Sequence, residues 1–159
     1  MAEIFIRDYR PDDVNALIEL FRGSVRVLAR KDHTESQLLA WAPDDIDPKV
    51  FGPRRASRPT WIAEVDGQIA GFSDLEPDGH VDMLYVHPAH QGKGVARALL
   101  RHVEDTAIRK GLKLIYTHAS ITARPVFERM GFHTIRAQTV TARGETFTNY
   151  RMEKQLVAA

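Results

Sequence analysis

The sequence predicts an α+β fold. One domain over residues 1–159 should carry a mixed, mostly antiparallel sheet of about seven strands with about four helices against it. Three observations carry that expectation. The spacing of apolar residues switches along the chain between two and three-to-four. Asp66-Gly67 stands between two short β-like runs, a two-residue hairpin signal. The helical run from Val95 to Ala107 separates a strand-like Val81–Val86 from a strand-like Leu112–Tyr116, which makes those two strands parallel across a crossover.

Each element has its local reason. Ile4 and Ile6 alternate with Phe5 and Arg7 in a strand that ends before Pro11. Val14, Leu17, Phe21, Val25 and Leu28 then recur at helical spacing, behind Asp12 and Asp13, which suit the positive end of a helix. Gly23-Ser24 is a candidate break in it. Thr34-Glu35-Ser36-Gln37 has the capping-box pattern, so a short helix should run to about Ala42 and stop before Pro43. Residues 43–59 carry Pro43, Pro48, Pro53 and Pro59 and the run Asp44-Asp45-Ile46-Asp47, and read as a mobile loop with at most one helical turn. Arg54, Arg55 and Arg58 read as solvated charges on it.

Trp61 to Val65, Ile69 to Phe72 and Val81 to Val86 should form three antiparallel strands, the last two joined through Pro77-Asp78-Gly79. The crossover helix ends on Arg109-Lys110-Gly111, basic residues followed by a C-cap glycine. Thr122 to Met130 reads as a shorter helix, with Thr122 as its cap and Pro125 harmless in its first turn. Phe132 to Thr141 and Thr146 to Gln155 close the fold as a hairpin around Arg143-Gly144.

Composition narrows the function. With 22 Lys+Arg against 21 Asp+Glu, net charge gives no reason to expect nucleic acid or an acidic membrane. No apolar run approaches the ~20 residues of a membrane span, and the first ten residues lack the apolar core of a secretion signal, so a cytoplasmic location is expected. The absence of Cys excludes a thiolate nucleophile and Cys-ligated zinc. His87-x-x-His90 lacks a third ligand at a sensible spacing, so no metal is expected. Gly71-x-Ser73 is followed by Leu75 where a nucleophile elbow needs glycine.

The informative stretch is Leu84-Tyr85-Val86-His87-Pro88-Ala89-His90-Gln91-Gly92-Lys93-Gly94-Val95-Ala96, a strand running through a glycine loop into a long helix. Such a junction presents backbone N–H groups and a positive helix end to an anion. It is not a Walker A loop, since Gly94 follows Lys93. Nor is it a dinucleotide fingerprint, since Arg97 stands where the third glycine belongs. Gln91-x-x-Gly94-x-Ala96 instead resembles the coenzyme A pyrophosphate loop of the GNAT superfamily of N-acetyltransferases. Ala123-x-x-x-Phe127-Glu128-Arg129-Met130-Gly131-Phe132 resembles that family's second motif. The resemblance covers roughly residues 60–155.

The resemblance implies a twisted sheet splayed between the strands of Leu84 and Leu114, with acetyl-CoA as co-substrate in the cleft. The amides of Gly92, Lys93, Gly94, Val95 and Ala96, beside Gln91, would hold the pyrophosphate. Leu84, Tyr85 and Val86 would offer main-chain groups to the pantetheine arm, with Val86 N–H as oxyanion donor. Ser120 stands where many relatives place an Asn on that arm; an N-cap is its alternative role. Phe127 stands where many relatives have a Tyr acid; an acid is useful but not indispensable for a thiol leaving group, and Tyr116, Tyr150 or water could substitute. Phe127 itself would pack on the coenzyme arm or in the core.

An alkylamine of pKa ~10.4 is nucleophilic in only about one molecule in a few thousand at pH 7, a handicap of ~4–5 kcal/mol. A general base is therefore expected, and His80 and Asp82, two apart on the strand that ends in Val86, are the candidates. The expected reaction is acetyl transfer to the primary amine of a small molecule by direct attack in a ternary complex. A non-catalytic acyl-CoA-binding module and a protein N-acetyltransferase are the alternatives. Arg26, Arg30, His33, Trp41 and the acidic run are candidates for the acceptor's surroundings. Expected partners are thus a small amine, without nucleic acid or membrane, and a homodimer is left open.

Overall fold

In a computed structural model of the protein, residues 3–157 are described; residues 1, 2, 158 and 159 of the expected domain lie outside them. The chain runs β1 (Ile4–Asp8), α1 (Val14–Leu28), α2 (Glu35–Trp41), α3 (Pro48–Ala56), β2 (Thr60–Val65), β3 (Gln68–Asp74), β4 (Leu84–Val86), α4 (Val95–Arg109), β5 (Leu114–Ser120), α5 (Arg124–Arg129), β6 (His133–Ala142) and β7 (Glu145–Gln155). The strands form two sheets, β1-β2-β3-β4 and β5-β7-β6, and all pairings within them are antiparallel.

The first sheet is buried on both faces. Trp61, Ala63 and Val65 of β2 meet Val95, Leu99, Leu100 and Val103 of α4 on one side. Ile62 and Phe72 meet Leu17, Phe21 and Val25 of α1, with Leu38 of α2 and Phe51 of α3, on the other. A strand covered on both sides reads as a continuous apolar run, as Trp61-Ile62-Ala63 does. Leu99, Val103 and Ala107 of α4 have no exposed surface, and full burial of a Leu or Val side chain contributes roughly 1.5–3 kcal/mol. The hairpin turns follow their sequence signals, with positive φ at Asp66 and Gly67 (53° and 77°) and at Arg143 and Gly144 (48° and 79°).

Five expectations are corrected. Residues 43–59 are not a loop: α3 occupies nine of them. Asp47 caps it by accepting from Lys49 N at 2.9 Å, and Pro48 sits in the first turn, where a missing N–H costs nothing. Arg55 is not solvated but 2% exposed, paired with the fully buried Asp74 at 3.3 Å. β4 begins at Leu84 rather than Val81, because Asp74 Oδ1 accepts the amide N–H groups of both Asp82 and Met83 at 2.9 Å and draws that backbone off the strand path. Thr122 does not cap α5; its hydroxyl donates to Asp32 at 2.7 Å, and the N-cap position is Ala123. α1 also runs through Gly23-Ser24 without a break.

Candidate functional site

The two sheets meet at the facing edges of β4 and β5, which run in the same direction and are joined at one end only. There Tyr116 N donates to Gly79 O at 3.0 Å, Val81 N to Tyr116 O at 2.8 Å, and Thr117 Oγ1 to Val81 O at 2.8 Å. Beyond these bonds the edges part and leave a cleft of about 790 Å³, the size of a small-ligand site. The ladder fixes which backbone groups face it. His87 N donates to Ala70 O at 2.7 Å, so the next hydrogen-bonded pair along the β3–β4 register is Phe72–Tyr85. Leu84 and Val86 turn their N–H and C=O the other way, toward the cleft. Tyr85, expected to offer main-chain groups there, has them in the ladder instead.

At the end of the cleft lies the glycine loop. Gly92 and Gly94 both take left-handed φ, 79° and 84°, which L residues adopt only at a cost. This brings Gly94 to the N-cap of α4 with no side-chain cap and no acidic residue in the first turn. The first N–H groups of a fifteen-residue helix therefore have no partner of their own. Gln91, Gly92, Gly94, Val95 and Ala96 line the cleft. Lys93 Nζ lies 3.3 Å from His90 Nδ1.

Next to the joined end stands a group of titratable side chains. His80 Nδ1 is 2.6 Å from Glu76 Oε1, and its ring stacks on Tyr116 at 4.9 Å. Asp82 lines the cleft and His80 does not, and a ring nitrogen of His80 and a carboxylate oxygen each of Asp82 and Glu76 lie within 4.8 Å of one another. The guanidinium of Arg58 already lies 3.3 Å from both Glu76 Oε1 and Asp82 Oδ2. Because residues 80–83 leave the strand path, the expected common face of His80, Asp82, Leu84 and Val86 on β4 is not formed. Tyr116 is no ready acid: its hydroxyl donates to Asp78, which pushes the phenol up to about 12. Tyr150 lies under the Arg124 guanidinium at 4.3 Å and does not line the cleft. Sequence reasoning missed His118, which lines the cleft from β5.

At the far end Trp41, Tyr85, His33 and Phe147 form an aromatic wall. Trp41 packs at 5.3–6.5 Å from the other three rings, and its Nε1 donates to the Tyr85 hydroxyl at 3.3 Å. Burial pushes the Tyr85 phenol well up, so it stays protonated. Gln37 Nε2 donates to Thr146 O at 2.8 Å and Arg143 Nη1 to Ala40 O at 2.7 Å, tying the β6–β7 hairpin to α2 across that end. Two acids of the run are committed elsewhere: Asp44 pairs with Arg26 at 2.7 Å and Asp47 caps α3. Ser120 Oγ accepts from Ala123 N at 3.1 Å, which leaves its hydroxyl proton free to donate. Phe127 is 2% exposed, packed edge-on against Phe132 at 5.0 Å, and lines the cleft.

Comparison with known proteins places this arrangement. The family model for the acetyltransferase (GNAT) domain matches residues 29–154. The chain belongs to the GNAT acetyltransferases. As a member of that family the protein is an acyltransferase. Among its GNAT relatives is the uncharacterized N-acetyltransferase YafP of Escherichia coli (strain K12), 37% identical over 153 residues, 96% of each chain. A GCN5-related N-acetyltransferase from Rhodopseudomonas palustris has a crystal structure that superposes with a TM-score of 0.94 at 33% identity, over 98% of both chains. The PaiA N-acetyltransferase of Thermoplasma acidophilum, crystallised with coenzyme A, shares the GNAT fold at a TM-score of 0.80 and 19% identity, over 96% of this chain and 99% of that one.

Proposed function

We propose that this acetyltransferase moves the acetyl group of acetyl-CoA to the primary amine of a small molecule, by direct attack in a ternary complex. The observation that carries this reading is the uncapped N-terminus of α4, set by two left-handed glycines at one end of a cleft whose wall is the unpaired edge of β4. In that arrangement the amides from Gly92 to Ala96, beside Gln91 and Lys93, hold the pyrophosphate. Leu84 and Val86 pair with the amides of the pantetheine arm as a missing strand would. Val86 N–H then stabilises the oxyanion. Ser120 donates its hydroxyl to the arm, and Phe127 supports it from below.

His80 and Asp82, with Glu76, form the acid–base group beside the reacting carbon. With no Cys in the chain there is no acetyl-cysteine intermediate, and the amine attacks the thioester itself. A small acceptor is favoured over a peptide by the two hydrogen bonds that tie the β6–β7 hairpin to α2 over the aromatic end. The wall of Trp41, His33 and Phe147 suits an amine carried on an apolar or aromatic body. A cytoplasmic location belongs to the same reading; among the described residues no helix is long and apolar enough to cross a membrane.

A thermal-shift titration tests the binding half. At 100 times its dissociation constant acetyl-CoA stabilises by ~2.7 kcal/mol, or roughly 5–11 °C for a chain of this size. No shift at millimolar acetyl-CoA overturns the reading. Coenzyme A release across an amine panel tests the transfer half.

A further inference from the structure

The acid–base group has a member that the reading above leaves unused. His118 lies on β5, two residues past Tyr116, on the same face of the strand and open to the cleft. Its ring stands edge-on to that of His80, with centroids 5.3 Å apart, and 6.0 Å from that of Tyr116. Gln138 Nε2 of β6 lies 2.7 Å from its Nδ1. Among the described residues its Nε2 has no protein hydrogen bond.

We propose that His118 is the proton shuttle of the transfer, taking the second proton from the acceptor nitrogen and giving it to the leaving thiolate, with Gln138 as its positioning residue. The proposal rests on the acetyl-transfer reading. The protons balance as follows. An ammonium acceptor first loses one proton to solvent by way of the His80–Asp82 group, the one released in the net reaction. The nitrogen lone pair then forms the C–N bond, and the thioester carbonyl becomes an oxyanion at Val86 N–H. His118 Nε2 accepts the second nitrogen proton. As the C–S bond breaks, that proton passes to sulfur, and amide and free thiol leave.

The surroundings suit that double task better than any other group in the cleft. Burial holds the His118 imidazole below its ordinary value, aided by His80, by Arg151 directly opposite on β7 and by Arg136 on β6, with Asp82 the acid that opposes them. Glu76 lies behind His80, and Tyr116 beside them is committed to Asp78. The resting imidazole is therefore neutral at pH 7. Once protonated it is a stronger acid than an ordinary imidazolium, and donation to a thiolate, whose conjugate acid has a pKa of ~8.5, is downhill. This supplies the acid that Phe127 cannot be and that Tyr116 is not free to be. Asp82 Oδ2 is engaged by Arg58, and His80 Nδ1 by Glu76.

The shuttle needs a bare Nε2. With the Gln138 amide nitrogen toward the ring, Nδ1 accepts and the proton sits on Nε2. A half-turn of the carboxamide, which exchanges its oxygen and nitrogen at the same position, lets it accept from Nδ1–H and leaves Nε2 without a proton.

Long-range proton–nitrogen NMR on the full chain, labelled with ¹⁵N-histidine, reads the tautomer without any acceptor. The His118 signal is identified as the one lost in His118→Gln. The Nδ1–H tautomer, titrating below an ordinary imidazole, is expected; the Nε2–H tautomer at pH 7 overturns the proposal. In coenzyme A release from acetyl-CoA with phenethylamine as probe acceptor, His118→Gln should lower kcat by about 10²–10⁴-fold, with acetyl-CoA affinity unchanged. A fall of less than threefold overturns it. Gln138→Glu should raise both the NMR titration and the acid limb of the pH–rate profile; an unmoved profile counts against the shuttle even where His118→Gln fails to fold. If acetyl-CoA binds but no amine in a panel releases coenzyme A, the transfer reading itself fails, and the tautomer still decides whether His118 is poised as proposed.

Discussion

Replacing Gly71 by alanine should damage the fold and the cleft together. Gly71 lies on β3 opposite Val86, and a β-carbon there would stand 2.8 Å from Val95 Cγ1, 2.9 Å from Tyr85 O and 3.1 Å from Leu99 Cδ1. The two side-chain contacts can relax by rotation. The carbonyl cannot, because it belongs to the β3–β4 ladder, so β4 must move away from β3 or α4 must lift. Overpacking of this kind costs ~1–3 kcal/mol, and a backbone oxygen among the clashes argues for the upper end. For a chain of this length each kcal/mol lowers the melting temperature by roughly 2–4 °C, so Gly71→Ala should melt about 6–12 °C lower. The elements forced apart are those proposed to hold acetyl-CoA, so the stabilisation by millimolar acetyl-CoA should shrink as well. Circular dichroism melts of both proteins, with and without acetyl-CoA, measure both effects. A drop under about 2 °C with an unchanged ligand shift would refute the packing argument.

Two further substitutions probe the parts that shape the site. Asp74→Asn, compared with the wild type by urea unfolding, replaces a fully buried carboxyl with a neutral amide of the same shape. Burial pushes the Asp74 carboxyl up to about 6 against 3.8, so its contribution to stability is full below pH 4 and lost as pH rises through 6. Wild-type stability relative to Asp74→Asn should therefore fall by about 3 kcal/mol between pH 4 and 7, and a flat difference would count against a desolvated carboxyl. Gly94→Ala forces a side chain into φ 84°, at a cost of ~1–2 kcal/mol in the protein alone. Titration calorimetry should show it weakening acetyl-CoA at least tenfold, while Gly111→Ala, at a similar φ of 79° but at the far end of α4, leaves affinity intact.

What the sequence made legible was local. The glycine loop, the capping box at Thr34 and the turns at Asp66-Gly67 and Arg143-Gly144 depend on residues a few positions apart, and each formed as its pattern required. α3 escapes a local reading because prolines mark breaks in a pattern, whereas Pro48 opens a helix whose N-cap is Asp47, the last acid of the run. The early end of β4 is set by a carboxylate from β3, eight and nine residues away from the amides it captures, and no local pattern encodes that. His118 is one histidine in an alternating strand. Its setting comes from the register that puts Arg151 opposite it and from the bridge that brings His80 alongside.

The facing edges of β4 and β5 have a consequence for assembly. Free strand edges ordinarily recruit other chains and seed aggregates. Here each edge is walled by the other, and the seam between them is pinned shut at the Gly79–Tyr116 end. A second polypeptide arriving edge-on would bring side chains on both faces and would have to fit them between two sheets. A slender chain with amide groups and few branches fits without that penalty. The same break in the sheet that makes room for a ligand thus screens out strands, and the two inner edges, β4 and β5, stay unpaired without being exposed to neighbouring chains.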